Sequence, residues 1–179
     1  MSHRLFVALR PPAPVRDALL DLMQGVENAR WQDDDQLHLT LRYVGEVETH
    51  RADDLAEALG AIRFEPFALR IEGVGVFERK AVARLLWAGV AASDALARLQ
   101  RKVERVCQSV GIEPEHRRFM PHVTLARLNQ SSGPLGDFLA AHADLALPPW
   151  TVQEFALFES ELRDEGSIYT PVVRYPARA

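Results

Sequence analysis

The sequence reads His38-Leu39-Thr40-Leu41-Arg42-Tyr43-Val44-Gly45 and, 84 residues after the first histidine, His122-Val123-Thr124-Leu125-Ala126-Arg127. Each opening tetrapeptide alternates polar and apolar residues at period two. In an extended strand this sends a histidine and a threonine to one face and two apolar side chains to the other. One His-x-Thr-x tetrapeptide is a weak signal, because roughly one chain of this size in ten or twenty carries it by chance. Two copies on matching strands are a much stronger one. They predict a duplicated unit whose motif strands meet at one symmetric site.

Working outward, residues 5–9 read as a short buried strand. Pro11, Pro12 and Pro14 then open a helix predicted to run to about Ala29, on the helical spacing of Leu19, Leu22, Met23 and Val26. The first motif lies on a strand over 37–44 that Gly45 ends. A helix over 51–62 precedes two strands, 67–77 and 84–90, joined by the charged turn Glu78-Arg79-Lys80. Ser93 N-caps a helix with Leu96, Leu99, Val103, Val106 and Val110 on its apolar stripe, and Gly111 closes it. Pro121 introduces the second motif strand. A helix over 135–143, a strand over 151–158, a charged turn over 161–166 and a strand over 168–175 complete the chain.

Both halves follow the order helix, motif strand, helix, hairpin, and Arg4-Leu5-Phe6-Val7-Ala8 has a loose counterpart in Arg84-Leu85-Leu86-Trp87-Ala88. The expected fold is α+β. Residues 1–179 form a single two-lobed domain with internal duplication: two pseudo-symmetric lobes, each an antiparallel sheet with helices on one face, enclose a central cleft.

Composition narrows the function. The net charge of −4 argues against a protein that coats long nucleic acid, though not against recognition of one terminal phosphate. Lys80 and Lys102 are the only lysines, so the cations are almost all arginines, whose planar fork suits phosphate oxygens. A single cysteine, Cys107, leaves no disulfide framework or multi-cysteine zinc site, and its helix position marks it as a small buried side chain. The opening residues carry no apolar signal stretch, and no apolar run reaches the roughly 18 to 20 residues needed to span a bilayer. A cytoplasmic protein with no membrane association is expected.

Hydrolysis of a phosphodiester needs a base to activate water on one side of phosphorus and an acid to protonate the departing oxygen on the other. Two imidazoles supply both, and two hydroxyls can hold the non-bridging oxygens as charge shifts. Equivalent tetrapeptides leave open which histidine is acid and which is base. No His-Glu-x-x-His helix is present and no carboxylate shares the motif face, so a zinc or magnesium site is the weaker expectation. His3, His50, His116 and His142 lack motif context. Arg117-Arg118 form either a positive rim or solvated loop charges. Phe6, Phe119 and Tyr169 offer faces for a nucleobase, with core packing an equal expectation for each.

These residues resemble the 2H phosphoesterases, in particular the bacterial and archaeal RNA 2′,3′-cyclic phosphodiesterases once called 2′-5′ RNA ligases. The resemblance spans nearly the whole chain. It rests on the opening Arg4-Leu5-Phe6-Val7-Ala8-Leu9, the two motif blocks with Pro121 before the second, and the ending from Phe155 to Pro171 with Gly166-Ser167-Ile168-Tyr169. It implies metal-independent hydrolysis of RNA or nucleotide 2′,3′-cyclic phosphate termini to a 2′-phosphate with no cofactor, and with His38 as proton donor and His122 as proton acceptor. It further implies that Thr40 and Thr124 hold phosphate oxygens and that Arg127 lies near the substrate. Strict alternation from His122 puts Arg127 on the wrong face and gives Arg42 the right parity in the first copy. A bulge would free Arg127 to turn inward, so it stays the candidate and Arg42 ranks below it. The expected partners are RNA 3′ termini or small cyclic-phosphate nucleotides, with no obligate protein partner and a monomeric state. Two rivals stand beside this reading: 2′-5′ RNA ligation as the main activity, and a non-catalytic RNA-end or nucleotide-binding module.

Overall fold

Two sheet halves meet at a single residue pair in the computed structural model, which describes residues 1–179. In chain order the elements are β1 (Ser2–Leu9), α1 (Ala13–Asp21), β2 (Arg30–Trp31), β3 (Leu39–Glu48), α2 (Thr49–Leu59), β4 (Phe67–Leu69), β5 (Ile71–Arg79) and β6 (Val82–Val90). There follow α3 (Asp94–Ser109), β7 (His122–Arg127), α4 (Gly136–Ala141), β8 (Trp150–Val152), β9 (Glu154–Arg163) and β10 (Gly166–Pro176). Eight strands form one antiparallel sheet in the order β10-β9-β1-β3-β7-β6-β5, with β2 beside β7, while β4 and β8 pair as a separate ribbon. The halves join only where Leu39 faces Val123. The two sheets expected from sequence are therefore one sheet with a one-pair seam.

The strand order is pseudo-symmetric. Exchanging β1 with β6, β3 with β7 and β5 with β9 reverses the central order onto itself, and the β4–β8 ribbon pairs two equivalent strands. Each repeat lends its later strand to the other lobe: β5 completes the half built on β6 and β7, and β9 the half built on β1 and β3. The counterpart strands are the ones matched by their letters, but one residue out of register. Ala8 faces Thr40 and Trp87 faces Thr124, so Ala8 corresponds to Trp87, not Ala88. A slip of one residue exchanges the faces of a strand, so the correct pairing decides which side chains reach the site.

One face of the sheet packs on helices. Leu5, Val7, Leu39, Leu41, Val123 and Leu125 join Leu55 and Leu59 of α2 and Leu96, Leu99 and Val103 of α3 in the main core cluster. The helix α3 starts where expected, with Ser93 Oγ accepting from the Leu96 amide at 3.1 Å, and gives way at Gly111, whose φ is +86°. No helix is long and apolar enough to cross a membrane.

Several boundaries differ from the sequence reading. The first helix ends at Asp21, not near Ala29, because Gly25 (φ +86°) and Asn28 (φ +56°) take the chain through left-handed turns, and Val26 is buried from a loop. Gly45 does not end its strand. It adopts φ +85° at a bulge, with Leu5 facing Gly45 and Phe6 facing Tyr43, and β3 continues to Glu48. The strands read as 67–77 and 151–158 each break, at Arg70 and Gln153, so that their first residues form the ribbon. The second charged turn shrinks to Asp164 and Glu165. The short strand β2 and the single-turn helix Asp34–Gln36, closed by an Asp33 and Gln36 capping box, lack the length for a periodic signal.

Candidate active site

The seam sets the geometry of the two tetrapeptides. Continuing the antiparallel register from Leu39 and Val123 sets His38 against Thr124 and Thr40 against His122, so each imidazole stands beside the hydroxyl of the other repeat. His38, Thr40, Thr124 and Arg127 line one hollow of about 590 Å³. The adjoining hollow shares Thr40, Tyr43 and Arg127 and adds His122. The five candidate residues thus converge on one continuous cleft.

Matching bulges settle the arginines. Val7 faces Arg42 and Ala8 faces Thr40, leaving Leu41 as an extra residue. In the second repeat Leu86 faces Ala126 and Trp87 faces Thr124, leaving Leu125 as the extra. Each bulge makes two successive side chains point into the core. Leu41 and Arg42 are both buried, as are Leu125 and Ala126, and the next residue returns to the cleft. Arg127 is therefore exposed beside Thr124, despite the parity argument, and Arg42 is carried to the helix side. There Arg42 Nε donates to Glu104 at 2.5 Å, and its other nitrogens donate to the carbonyls of Tyr43 and Glu113. Burial alone would raise the Glu104 carboxyl, but hydrogen bonds from Arg42, Gln108 and the Glu115 amide outweigh it and hold the group below the ordinary carboxylate range. Arg42 is a structural tie between the first motif strand, α3 and the loop leading to the second motif.

The two imidazoles sit in unlike surroundings. His38 is 6% exposed, with ring centroids of Phe158, Tyr169 and Phe6 at 4.5, 5.6 and 5.9 Å, all edge-on. Neither ring nitrogen has a hydrogen-bond partner. Burial is the main cause that lowers its pKa to about 4, with Arg10 and Arg16 adding to the effect. The Gln36 carbonyl opposes it from a position outside hydrogen-bond geometry. His122 is more accessible, and its Nδ1 lies 2.7 Å from the Met120 carbonyl. That contact makes Nδ1 the protonated nitrogen of the neutral ring and leaves Nε2 with a free lone pair. Burial lowers its pKa also, against the Met120 contact. Phe77 backs this ring edge-on at 4.9 Å, from the position that corresponds to Phe158 behind His38.

The remaining candidates divide clearly. Phe6 and Tyr169 pack against His38, and Phe119 lines the His122 hollow. Arg117 is held by Glu115 at 3.1 Å, while Arg118 has no carboxylate partner. Cys107 is fully buried and its thiol is pushed up to about 11, which keeps it a thiol at neutral pH. Sequence reasoning missed Tyr43, which occupies in the first repeat the position of Arg127 in the second, and Phe77 and Phe158. The paired tetrapeptides, extended by two residues and corrected for the bulge, carry the signal for Tyr43. The aromatic pair depends on strands exchanged between repeats and has no local signature. No three His, Cys, Asp or Glu side chains converge in a way that could hold a metal ion.

The family model described as LigT like phosphoesterase matches the chain twice, over residues 9–87 and 89–169, one tetrapeptide in each span. The chain is 36% identical over 140 residues to an Aeropyrum pernix protein named RNA 2′,3′-cyclic phosphodiesterase, covering 76% of this chain and 80% of that one. A Thermus thermophilus protein of the same name is 33% identical over 186 residues, covering 98% and 90%. Among solved structures, a Thermus thermophilus protein superposes with a TM-score of 0.82 at 28% identity, covering 98% of each chain. Escherichia coli LigT complexed with 3′-AMP gives 0.79 at 26% identity over 100% of each.

Proposed function

Because the chain belongs to the LigT like phosphoesterase family, we propose that it hydrolyses 2′,3′-cyclic phosphate termini of RNA or nucleotides to 2′-phosphates, without a metal. The observation that carries this reading is the one-pair seam that sets His38 beside Thr124 and His122 beside Thr40. Neutral His122, with its Nδ1 proton on the Met120 carbonyl, takes a proton at Nε2 from the attacking water. As the P–O3′ bond breaks, His38 gives a proton to the departing 3′ oxygen, leaving the phosphate on O2′. Thr40 and Thr124 donate to the non-bridging oxygens, and Arg127 offsets the charge that grows on them. Proton exchange with water then returns His122 to its neutral form.

His38 is neutral in the free protein at pH 7. The anionic phosphate, entering a low-dielectric aromatic box, is the charge that draws a proton onto it. The rate then depends on opposite protonation states, which predicts a bell-shaped pH profile.

The test uses nucleoside 2′,3′-cyclic phosphate in excess EDTA and identifies the product isomer. A 2′-phosphate is expected, and His38→Ala or His122→Ala should each lower kcat by about 10²- to 10⁴-fold. A substrate with sulfur in place of the bridging 3′ oxygen needs no acid. It should rescue His38→Ala and not His122→Ala, and the reverse pattern would exchange the two roles. Full activity of either alanine variant on the oxygen substrate would refute the mechanism.

A further inference from the structure

The turns that follow the counterpart strands β5 and β9 both flank the cleft but are opposite in charge. At the tip of the β9–β10 hairpin lie Asp164 and Glu165, with Arg163 held by Glu161 at 3.0 Å. At the tip of the β5–β6 hairpin lie Arg79 and Lys80, neither with a carboxylate partner. The loop of this hairpin is Lys80-Ala81, with φ of +53° and +63°. A turn of that shape is most easily made by Asn-Gly, so a lysine there keeps a cation at a position where glycine would relieve strain.

The hollow on the His122 side extends the same charge. It is lined by Arg79, Lys80, Arg84, Arg118 and Arg127, all without a carboxylate partner, against the single unpaired carboxylate of Glu78. In a chain of net charge −4 this is a strong local excess. The hollow opens from the catalytic cleft through Thr40, Tyr43 and Arg127, measures about 1270 Å³ and reaches the hairpin tip. That volume exceeds what one cyclic nucleotide fills. A groove of successive unpaired cations matches a chain of phosphates better than a single anion.

We propose that the phosphodiester backbone of RNA 5′ to the cyclic phosphate runs along the His122 wall, held by Arg79, Lys80, Arg84 and Arg118, and that this groove makes oligonucleotides better substrates than mononucleotides. The inference rests on the cyclic phosphodiesterase reading of the cleft. Charge asymmetry between the turns after β5 and β9 gives the strand one direction, which the symmetric tetrapeptides do not.

The experiment compares a nucleoside 2′,3′-cyclic phosphate with an octanucleotide ending in the same group, for the wild type, the triple variant Arg79→Gln, Lys80→Gln, Arg84→Gln, and Arg70→Gln, which removes an exposed arginine paired with Glu72 away from the cleft. The wild type should have a lower KM for the octanucleotide. The triple variant should raise that KM about tenfold or more, leave kcat and mononucleotide hydrolysis unchanged, and flatten the salt dependence of log kcat/KM by about 2 at roughly 0.7 per lost phosphate contact. Arg70→Gln should change the kinetics of neither substrate. Equal KM values for both wild-type substrates, equal losses on both substrates in the triple variant, or an equal loss on the octanucleotide from Arg70→Gln would each overturn the groove while leaving the hydrolysis reading intact. Failure of the wild type to hydrolyse either substrate would overturn that reading and the groove with it.

Discussion

Replacing His38 with leucine removes a titration that burial holds far from its unfolded value. The ring is 6% exposed in an aromatic box, with both nitrogens unpartnered, and burial lowers its pKa from 6.5 to about 4. Between those values the unfolded chain binds a proton that the folded chain refuses. Protonation therefore favours unfolding: stability is whole above pH 6.5, declines as pH falls, and stops declining below about 4. The full gap is worth about 3 kcal/mol, of which about 2 kcal/mol is already lost at pH 5. Leucine fits among Phe6, Phe158 and Tyr169 and does not titrate. Urea unfolding at pH 7.5 and pH 5 should show the variant at least as stable as wild type at the higher pH and about 2 kcal/mol further ahead at the lower one. His122 and every other titrating group are common to both proteins and cancel in the difference. Parallel stability curves for the two proteins between pH 7.5 and 5 would refute the reasoning, because His38 would then titrate as it does in the unfolded chain.

Arg42→Met strips the Glu104 carboxylate of its principal partner and should lower stability by about 3 kcal/mol in chemical denaturation, whereas Arg42→Met with Glu104→Leu should regain most of it; a double variant no better than the single one would contradict the tie. At Gly75 a Cβ would overlap the Trp87 ring, so Gly75→Ala should destabilise by about 1 to 3 kcal/mol and alter near-ultraviolet circular dichroism. Trp87→Leu in that background should recover stability, and failure to do so would place the strain elsewhere.

Element types were legible because their signals are local. The stripe Leu96, Leu99, Val103 with Ser93 before it marks α3, and period-two alternation marks β3 and β7. The end of α1 was not, because Leu22, Met23 and Val26 keep helical spacing while Gly25 and Asn28 leave the helical region. The exchange of β5 and β9 between repeats was invisible, since strand neighbours depend on long-range pairing and a hairpin reads the same in either lobe.

By itself the chain's sequence determined that two imidazoles and two hydroxyls recur on equivalent strands, since side-chain alternation at period two is a property of each strand alone. Tertiary structure decided which arginine joins them. Arg42 and Arg127 are told apart only by bulges at Leu41 and Leu125, and a bulge arises from how a strand matches its neighbour. Tertiary structure likewise made the two histidines unequal. His38 is enclosed by Phe6, Phe158 and Tyr169 from three separate strands, whereas His122 is fixed by a carbonyl two residues away.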